Sequence, residues 1–309
     1  MNSRPQVLPE PAELGGLRLF VLGARPRTLP AAVVPVAVAS AVAWWWLGSH
    51  RVEWWKGALA LVVSLAVQVG TNYANDYSDG VRGTDSARVG PVRLVASGLV
   101  SRRSVAAASA ASFGVAAAAG TVLAAYTSWW LVAVGAACIA AGWLYTGGPA
   151  PYGYMGLGEL FVLAFFGLVA TCGTAYVEGV RISSAGFFVA IVASVAVGLL
   201  AAGLLQANNL RDIAGDEKAS KRTLAVRLGR RNAGVLYVGT LAAAGILVVV
   251  IAVSHRPFAA IAFGAAPLAL RPSKLALGRA GGRDLLPMLA ATARLQLCAG
   301  ALLAAGILI

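Results

Sequence analysis

The sequence predicts an all-α polytopic membrane protein, and three observations lead there. Of its 309 residues, 59% are hydrophobic and only 12% are charged, against about 25% charged in ordinary soluble domains. Several apolar stretches reach the roughly 20 residues that cross a bilayer as a helix. Stretches such as "AGILVVVIAV" and "GFFVAIVASVAVGLLAAGLL" also lack the polar face that a helix packed on a soluble core presents to water.

Along the chain, residues 1–27 form a polar, proline-rich N-terminal segment without the apolar h-region of a secretory signal. Residues 28–309 read as a single transmembrane domain. Hydropathy and loop signals place nine spans near 28–48, 56–78, 104–126, 129–146, 157–177, 185–208, 233–253, 256–271 and 287–309. The eighth is short and ends at "LRPSK". Gly and Ala recur throughout, as expected where helix backbones approach closely in lipid.

Charge gives an independent reading of this topology. The N-terminal segment holds four Lys/Arg, the 79–103 loop five, the 209–232 loop seven and the 271–286 loop four. The alternate loops and outer helix ends carry only Arg51, Lys56, Arg181 and Arg256. The bias puts the N-terminus and the long loops in the cytoplasm of a bacterial cell, with the chain in its plasma membrane. Topology thus accounts for most of the net charge of +13, and nucleic acid is not expected as a partner. Trp44 to Trp46, Trp54, Trp55, Trp129 and Trp130 fall near outer ends of spans and read as an interfacial belt. Cys138, Cys172 and Cys298 are isolated in apolar segments, and His50 and His255 lie in short loops; none has the spacing of a metal site.

The chain has twelve acidic residues, and most of them gather at two helix ends. "NYANDYSDGVRGTDSARVGPVRLVASG" holds Asn72, Asn75, Asp76, Asp79 and Asp85; "LLQANNLRDIAGDEKASKRTLAVRLG" holds Asn208, Asn209, Asp212, Asp216 and Glu217. On helices, Asn72, Asp76 and Asp79 share one face, and so do Asn208, Asp212 and Asp216. Carboxylates at a helix C-terminus repel one another and the negative end of the dipole, so something positive must offset them. Oxygen ligands of this kind suit Mg²⁺ bound through one or two carboxylates, waters and substrate phosphates. The neighbouring Arg88, Arg93, Lys218, Lys221 and Arg222 suit an anionic substrate beside the metal. The blander alternative is a pair of solvated loops whose charges pair locally.

These residues resemble the UbiA-type intramembrane prenyltransferases. The family's Asn-Asp-x-x-Asp motif stands here as "NDYSD", Asn75 to Asp79, with Asp85 following, and its Asp-x-x-x-Asp motif as "DIAGD", Asp212 to Asp216. The segments "ARPRTLPAAVVPV", "GTDSARVGPVRLVASG", "YTGGPAPYGYMGLGEL" and "NNLRDIAGDEKASKRTLAVRLG" are similar to the branch that prenylates 1,4-dihydroxy-2-naphthoate in menaquinone biosynthesis.

The resemblance implies nine helices around a central cavity open laterally to lipid. It also implies Mg²⁺-dependent transfer of a polyprenyl group from its diphosphate to that acceptor, with loss of CO₂, giving demethylmenaquinone. Asp76, Asp79, Asp85, Asp212 and Asp216 would hold metal. Asn72, Asn75, Asn208, Arg93, Lys221 and Arg222 would bind diphosphate. Arg25, Tyr145, Tyr152 and Glu159 would meet the acceptor, Tyr145 through its ring face. Relatives often carry Lys or Arg in the loop that residues 143–158 form, whereas this chain has none there; binding of the acceptor carboxylate then falls to Arg25 or Arg27.

Other readings fit less well. 4-Hydroxybenzoate or homogentisate are alternative acceptors that the aspartates cannot distinguish. A cation or anion transporter would place its charges near the midplane, whereas these clusters lie at one membrane face. "DYSDG" also resembles the start of the CDP-alcohol phosphotransferase signature, but Arg82-Gly83 follows where that signature needs Ala-Arg.

Overall fold

A computed structural model describes residues 15–83 and 93–309, and every described element is helical. Asp85 and Arg88 lie outside the described residues. The elements run α1 (Gly16–Ala24), α2 (Pro30–Leu47), α3 (Trp54–Arg82), α4 (Arg102–Tyr126), α5 (Trp130–Leu144), α6 (Gly158–Val162), α7 (Ala170–Val177), α8 (Ala185–Lys218), α9 (Leu224–Ser254), α10 (Ala266–Leu277) and α11 (Leu286–Leu308).

Local chemistry sets many of the boundaries. Pro30 opens α2, where a missing N–H costs nothing. Ser101, Ser184 and Thr223 cap α4, α8 and α9 by accepting the backbone N–H of Ser104, Phe187 and Val226. Gly83, with φ of 70°, ends α3 and donates to the Asp79 carbonyl. A break at Gly229 (φ 73°) separates the first turn of α9 from its membrane-crossing part.

Seven of these helices are long and apolar enough to cross a membrane: α2, α3, α4, the α6–α7 unit Gly158–Val177, α8, α9 and α11 with its lead-in from Gly282. The sequence reading of nine spans differs at two places. The fourth, α5, is apolar but only 15 residues long. The eighth is a 3-10 stretch, Pro257–Ala265, that passes into the 12-residue α10. Pro257, Pro267 and Pro272 withhold backbone donors there, which discourages one continuous α-helix. Residues 16–24, ahead of the first expected span, form α1, which packs on α3; Tyr73 Oη donates to the Phe20 carbonyl at 2.7 Å.

Helix length explains where the polar motifs sit. α3 has 29 residues and α8 has 34; at about 1.5 Å per residue they are roughly 44 and 51 Å long. A hydrocarbon layer of about 30 Å leaves turns to spare. Both helices spend that excess on the same end of the molecule, where their asparagines and aspartates lie. The tryptophans mark the other end: Trp44 packs edge-on against Trp54 at 5.6 Å, and Trp55 against Tyr126 at 5.2 Å.

Between these ends the core is built of small side chains. Val38 and Val42 of α2 meet Ala190, Ala193 and Val197 of α8, Ile251 of α9, and Leu303 and Ile307 of α11. Close approach is most severe where Gly167 faces Gly198: a Cβ on Gly167 would lie 2.9 Å from the Gly198 Cα and 2.8 Å from the Ser194 carbonyl oxygen. Gly167 belongs to a π-helical stretch, Leu163–Val169, that joins α6 to α7.

Candidate active site

The long helices α3 and α8 bring their polar ends to one cavity of about 1200 Å³, its open mouth included. Gln68, Asn72, Asn75 and Asp79 of α3 line it at i, i+4, i+7 and i+11, one helical face. Asn208, Asn209 and Asp216 line it from α8. Among the described residues its charged lining is Arg25, Arg93 and Lys221 against Asp79 and Asp216, three cations facing two carboxylates.

Each polar group on the α3 face is fixed by a neighbour. Asn72 Nδ2 donates to the Ala24 carbonyl at 2.8 Å and to Thr28 Oγ1 at 3.0 Å, tying α3 to the α1–α2 turn. Gln68 Nε2 donates to the same hydroxyl at 3.0 Å. Thr146 Oγ1 donates to Asn75 Oδ1 at 2.7 Å. Asp79 Oδ1 accepts from Tyr154 Oη at 2.7 Å and from Lys221 Nζ at 2.9 Å, and Arg93 Nη2 stands 3.8 Å from Asp79 Oδ2.

Lys221 reaches Asp79 because of how α8 ends. Ser220 takes a left-handed conformation, φ 56°. The Lys221 N–H then bonds the Asp216 carbonyl at 2.8 Å, and the Ser220 N–H bonds that of Glu217 at 3.1 Å. This Schellman closure folds the chain back over the helix end. The Lys221 ammonium lies 4.6 Å from the centre of the Tyr154 ring, a cation–π contact. Tyr154 comes from the turn Tyr152–Met155, and its carbonyl accepts the Arg222 N–H at 3.0 Å. Arg82 holds the same connection by donating to the carbonyls of Thr146 and Gly148.

The expected site residues divide by placement. Asn72, Asn75, Asp79, Arg93, Asn208, Asp216, Lys221, Arg25, Tyr145 and Tyr152 all line the cavity. Asp76 sits on the shoulder of the α3 face, where its carboxylate accepts the backbone N–H groups of Leu94 (2.9 Å) and Val95 (3.2 Å). Asp212 has the helical position expected of it, but its carboxylate takes a bidentate bond from the adjacent Arg211, both distances 2.7 Å. Arg222 is exposed and contributes its backbone. Glu159 stands behind the wall and accepts Asn209 Nδ2 at 3.0 Å. Arg25 lies in the left-handed region, φ 53°, at the turn between α1 and α2; Arg27 is exposed.

The sequence reading omitted Tyr154, Thr28, Gln68 and Thr146. Tyr154 carried a signal, a tyrosine within the "YGYMG" segment, but neither its carboxylate partner nor its lysine partner is near it in sequence.

One wall is aromatic. Tyr145 meets Tyr152 edge-on at 5.4 Å, and Tyr152 stacks on Phe161 at 3.9 Å. Tyr152 Oη is spent on the Ala141 carbonyl at 2.9 Å. Burial pushes its phenol pKa up, so the ring is neutral and its face is what it offers a ligand.

Metal fit follows from the donor set. Among the described residues no three His, Cys, Asp or Glu side chains converge to hold an ion by themselves. Asp79 and Asp216 with the amide oxygens of Asn72, Asn75 and Asn208 make an all-oxygen set with two carboxylates. That matches Mg²⁺, which takes one or two carboxylates and completes its shell with water and substrate phosphate.

Comparison with known proteins agrees with this geometry. Residues 32–306 match the UbiA prenyltransferase family. The chain is 51% identical over 270 residues to 1,4-dihydroxy-2-naphthoate octaprenyltransferase of Mycobacterium tuberculosis, covering 87% of this chain and 90% of that one. It is 48% identical over 270 residues to the enzyme of the same name from Mycobacterium leprae, covering 87% and 89%. The fold is similar to that of a UbiA homolog from Archaeoglobus fulgidus solved bound to DMAPP and Mg²⁺. That likeness has a TM-score of 0.58 at 16% identity, over 92% of this chain and 98% of that one.

Proposed function

The chain belongs to the UbiA prenyltransferase family, and from that premise we propose that it transfers a polyprenyl group from polyprenyl diphosphate to 1,4-dihydroxy-2-naphthoate. One observation carries the reading: Asp79 of α3 and Asp216 and Lys221 at the end of α8 line a single cavity with Arg93 and an aromatic wall.

In this reading the diphosphate lies at the polar end, against Arg93 and Lys221, with the amides of Asn72, Asn75 and Asn208 bonding its oxygens or the waters around it. Asp79 and Asp216, with Asp85 beyond the described residues, hold Mg²⁺, which when bound supplies the charge that lets diphosphate depart. Asp76 holds the backbone after Arg93, and Asp212 orients Arg211. The allylic carbon–oxygen bond breaks, and its electron pair leaves with the diphosphate. Tyr145 and Tyr152 turn their ring faces toward the carbon that becomes electron-poor. A ring carbon of the acceptor forms the new bond, and the acceptor carboxylate leaves as CO₂. Arg25, at the α1–α2 turn, binds that carboxylate beforehand. The excess of basic loop residues at this end puts the site on the cytoplasmic side of the bacterial plasma membrane.

The test is product identification by mass. Membranes containing the protein are given Mg²⁺, octaprenyl diphosphate and an equal mixture of 1,4-dihydroxy-2-naphthoate and 4-hydroxybenzoate. Demethylmenaquinone, abolished by EDTA, is the expected product. Prenylated 4-hydroxybenzoate alone would overturn the acceptor assignment, and full activity in EDTA would overturn the metal role.

A further inference from the structure

A second cavity of about 780 Å³, counted with its opening, lies deeper among the helices. It shares four wall residues with the first: Val67, Cys138, Phe165 and Phe166. The two cavities therefore meet at one junction. Phe165 and Phe166 are consecutive, and both belong to the π-helical stretch Leu163–Val169. A π-turn inserts a residue into the helix and shifts the register of the turns after it, and here both rings line both cavities.

The chemistry of the second wall excludes a polar ligand. Its two hydroxyls, Ser64 and Thr174, are spent on backbone carbonyls, Ser64 Oγ on Ala32 at 3.0 Å and Thr174 Oγ1 on Ala170 at 2.7 Å. Among the described residues no charged side chain lines it. Three glycines from three helices open it: Gly120 of α4, Gly135 of α5 and Gly173 of α7. A Cβ on any of them would meet no atom within 4 Å, so these glycines border space and not a packed neighbour.

The distances suit a long apolar chain anchored at the first site. From Asp79 to Val67, twelve residues of α3, the helical rise is about 18 Å. From Phe166 to Val177, the far lining residue on α7, it is about another 16 Å. A short isoprenoid held by its diphosphate stays in the first cavity, whereas a long one passes the junction. We propose that the second cavity binds the distal isoprene units of the donor and that Gly120, Gly135 and Gly173 set how much tail it admits. This inference rests on the prenyl-transfer reading above.

The test measures kcat/KM for geranyl diphosphate and octaprenyl diphosphate with 1,4-dihydroxy-2-naphthoate as acceptor. Gly135→Leu and Gly173→Leu are expected to lower the octaprenyl value by about tenfold, the scale of overfilling a packed site, while geranyl turnover stays within about twofold. Gly135→Ala, the mildest change, should move the ratio in the same direction by less. Gly114→Leu on α4 is the control: its Cβ also meets open space, but it does not line either cavity, and both donors should be unaffected. Equal loss with both donors, or no change with either, would overturn the tail site. Wild-type protein inactive with both donors would overturn the proposed function instead.

Discussion

Lys221 Nζ lies 2.9 Å from Asp79 Oδ1, although 142 residues separate them. This ion pair joins the two acidic segments of the chain, and both partners are nearly sealed from solvent, their side chains 7% and 2% exposed. Removing one partner of such a pair leaves a buried charge uncompensated. Lys221→Met should therefore lower kcat/KM for the prenyl donor by about 100-fold and raise the donor KM, leaving the acceptor KM unchanged. Tyr154→Phe keeps the ring under Lys221 and removes one hydrogen bond to Asp79, so a loss of about tenfold is expected. Steady-state kinetics with each substrate varied in turn checks both.

Arg25 separates the acceptor from the donor. It lines the cavity from the α1–α2 turn, on a different element from the Asp79–Lys221 pair. Arg25→Gln is expected to raise the acceptor KM about tenfold or more, as loss of a charge-assisted hydrogen bond does, with the donor KM unchanged. An acceptor lacking the carboxylate should feel the substitution less. The reverse pattern would assign Arg25 to the diphosphate.

Asp76 and Asp79 are three residues apart and do different things. Asp76 accepts two backbone N–H groups, from Leu94 and Val95, directly after Arg93. An Asn there keeps one acceptor and turns an amide N–H toward the other donor. Asp76→Asn should cost about 1–3 kcal/mol of stability, read as a lowered Tm in detergent. Asp79→Asn should remove activity with a smaller change in Tm.

At the opposite end of the molecule Glu178, just past α7, is fully buried, and Oε1 accepts Ser40 Oγ at 2.7 Å. Burial pushes its carboxyl up to about 7, with the Ser40 hydrogen bond working against that shift. The folded state then holds a proton that the unfolded state has released, so stability falls as pH rises from about 4.5 to about 7 and levels off above. Glu178→Gln should flatten this slope and raise Tm at pH 8 more than at pH 5. Thermal unfolding in detergent across that range is the measurement; an unchanged slope would contradict the assignment.

The reading from sequence located both polar segments, because asparagines and aspartates at the ends of apolar runs stand out by composition. It could not distinguish Asp76 from Asp79, since a turn of less than a quarter around α3 decides whether a carboxylate meets the cavity or the loop after Arg93. Asp212 shows the same limit: its position in α8 suits the cavity, but the conformation of Arg211 decides where its carboxylate goes. Tyr154 lies in a short turn, and its importance comes from two partners far along the chain. The eighth span departs from its expected form because hydropathy does not register that three prolines break helical hydrogen bonding. The second cavity was illegible for a related reason. Glycines are spread through the whole sequence, and only packing shows that Gly120, Gly135 and Gly173 face open space.

The central claim is that the α3 and α8 segments form one site, and a double-mutant cycle on Asp79 and Asp216 tests it most directly. Prenyl transfer is measured for Asp79→Asn, Asp216→Asn and the double variant at saturating Mg²⁺. Each single variant is expected to lose about 100-fold or more in kcat, and the double variant about as much as the worse single, since residues acting as a unit are strongly non-additive. Losses that multiply fully, or either single variant retaining wild-type turnover, would contradict a shared site.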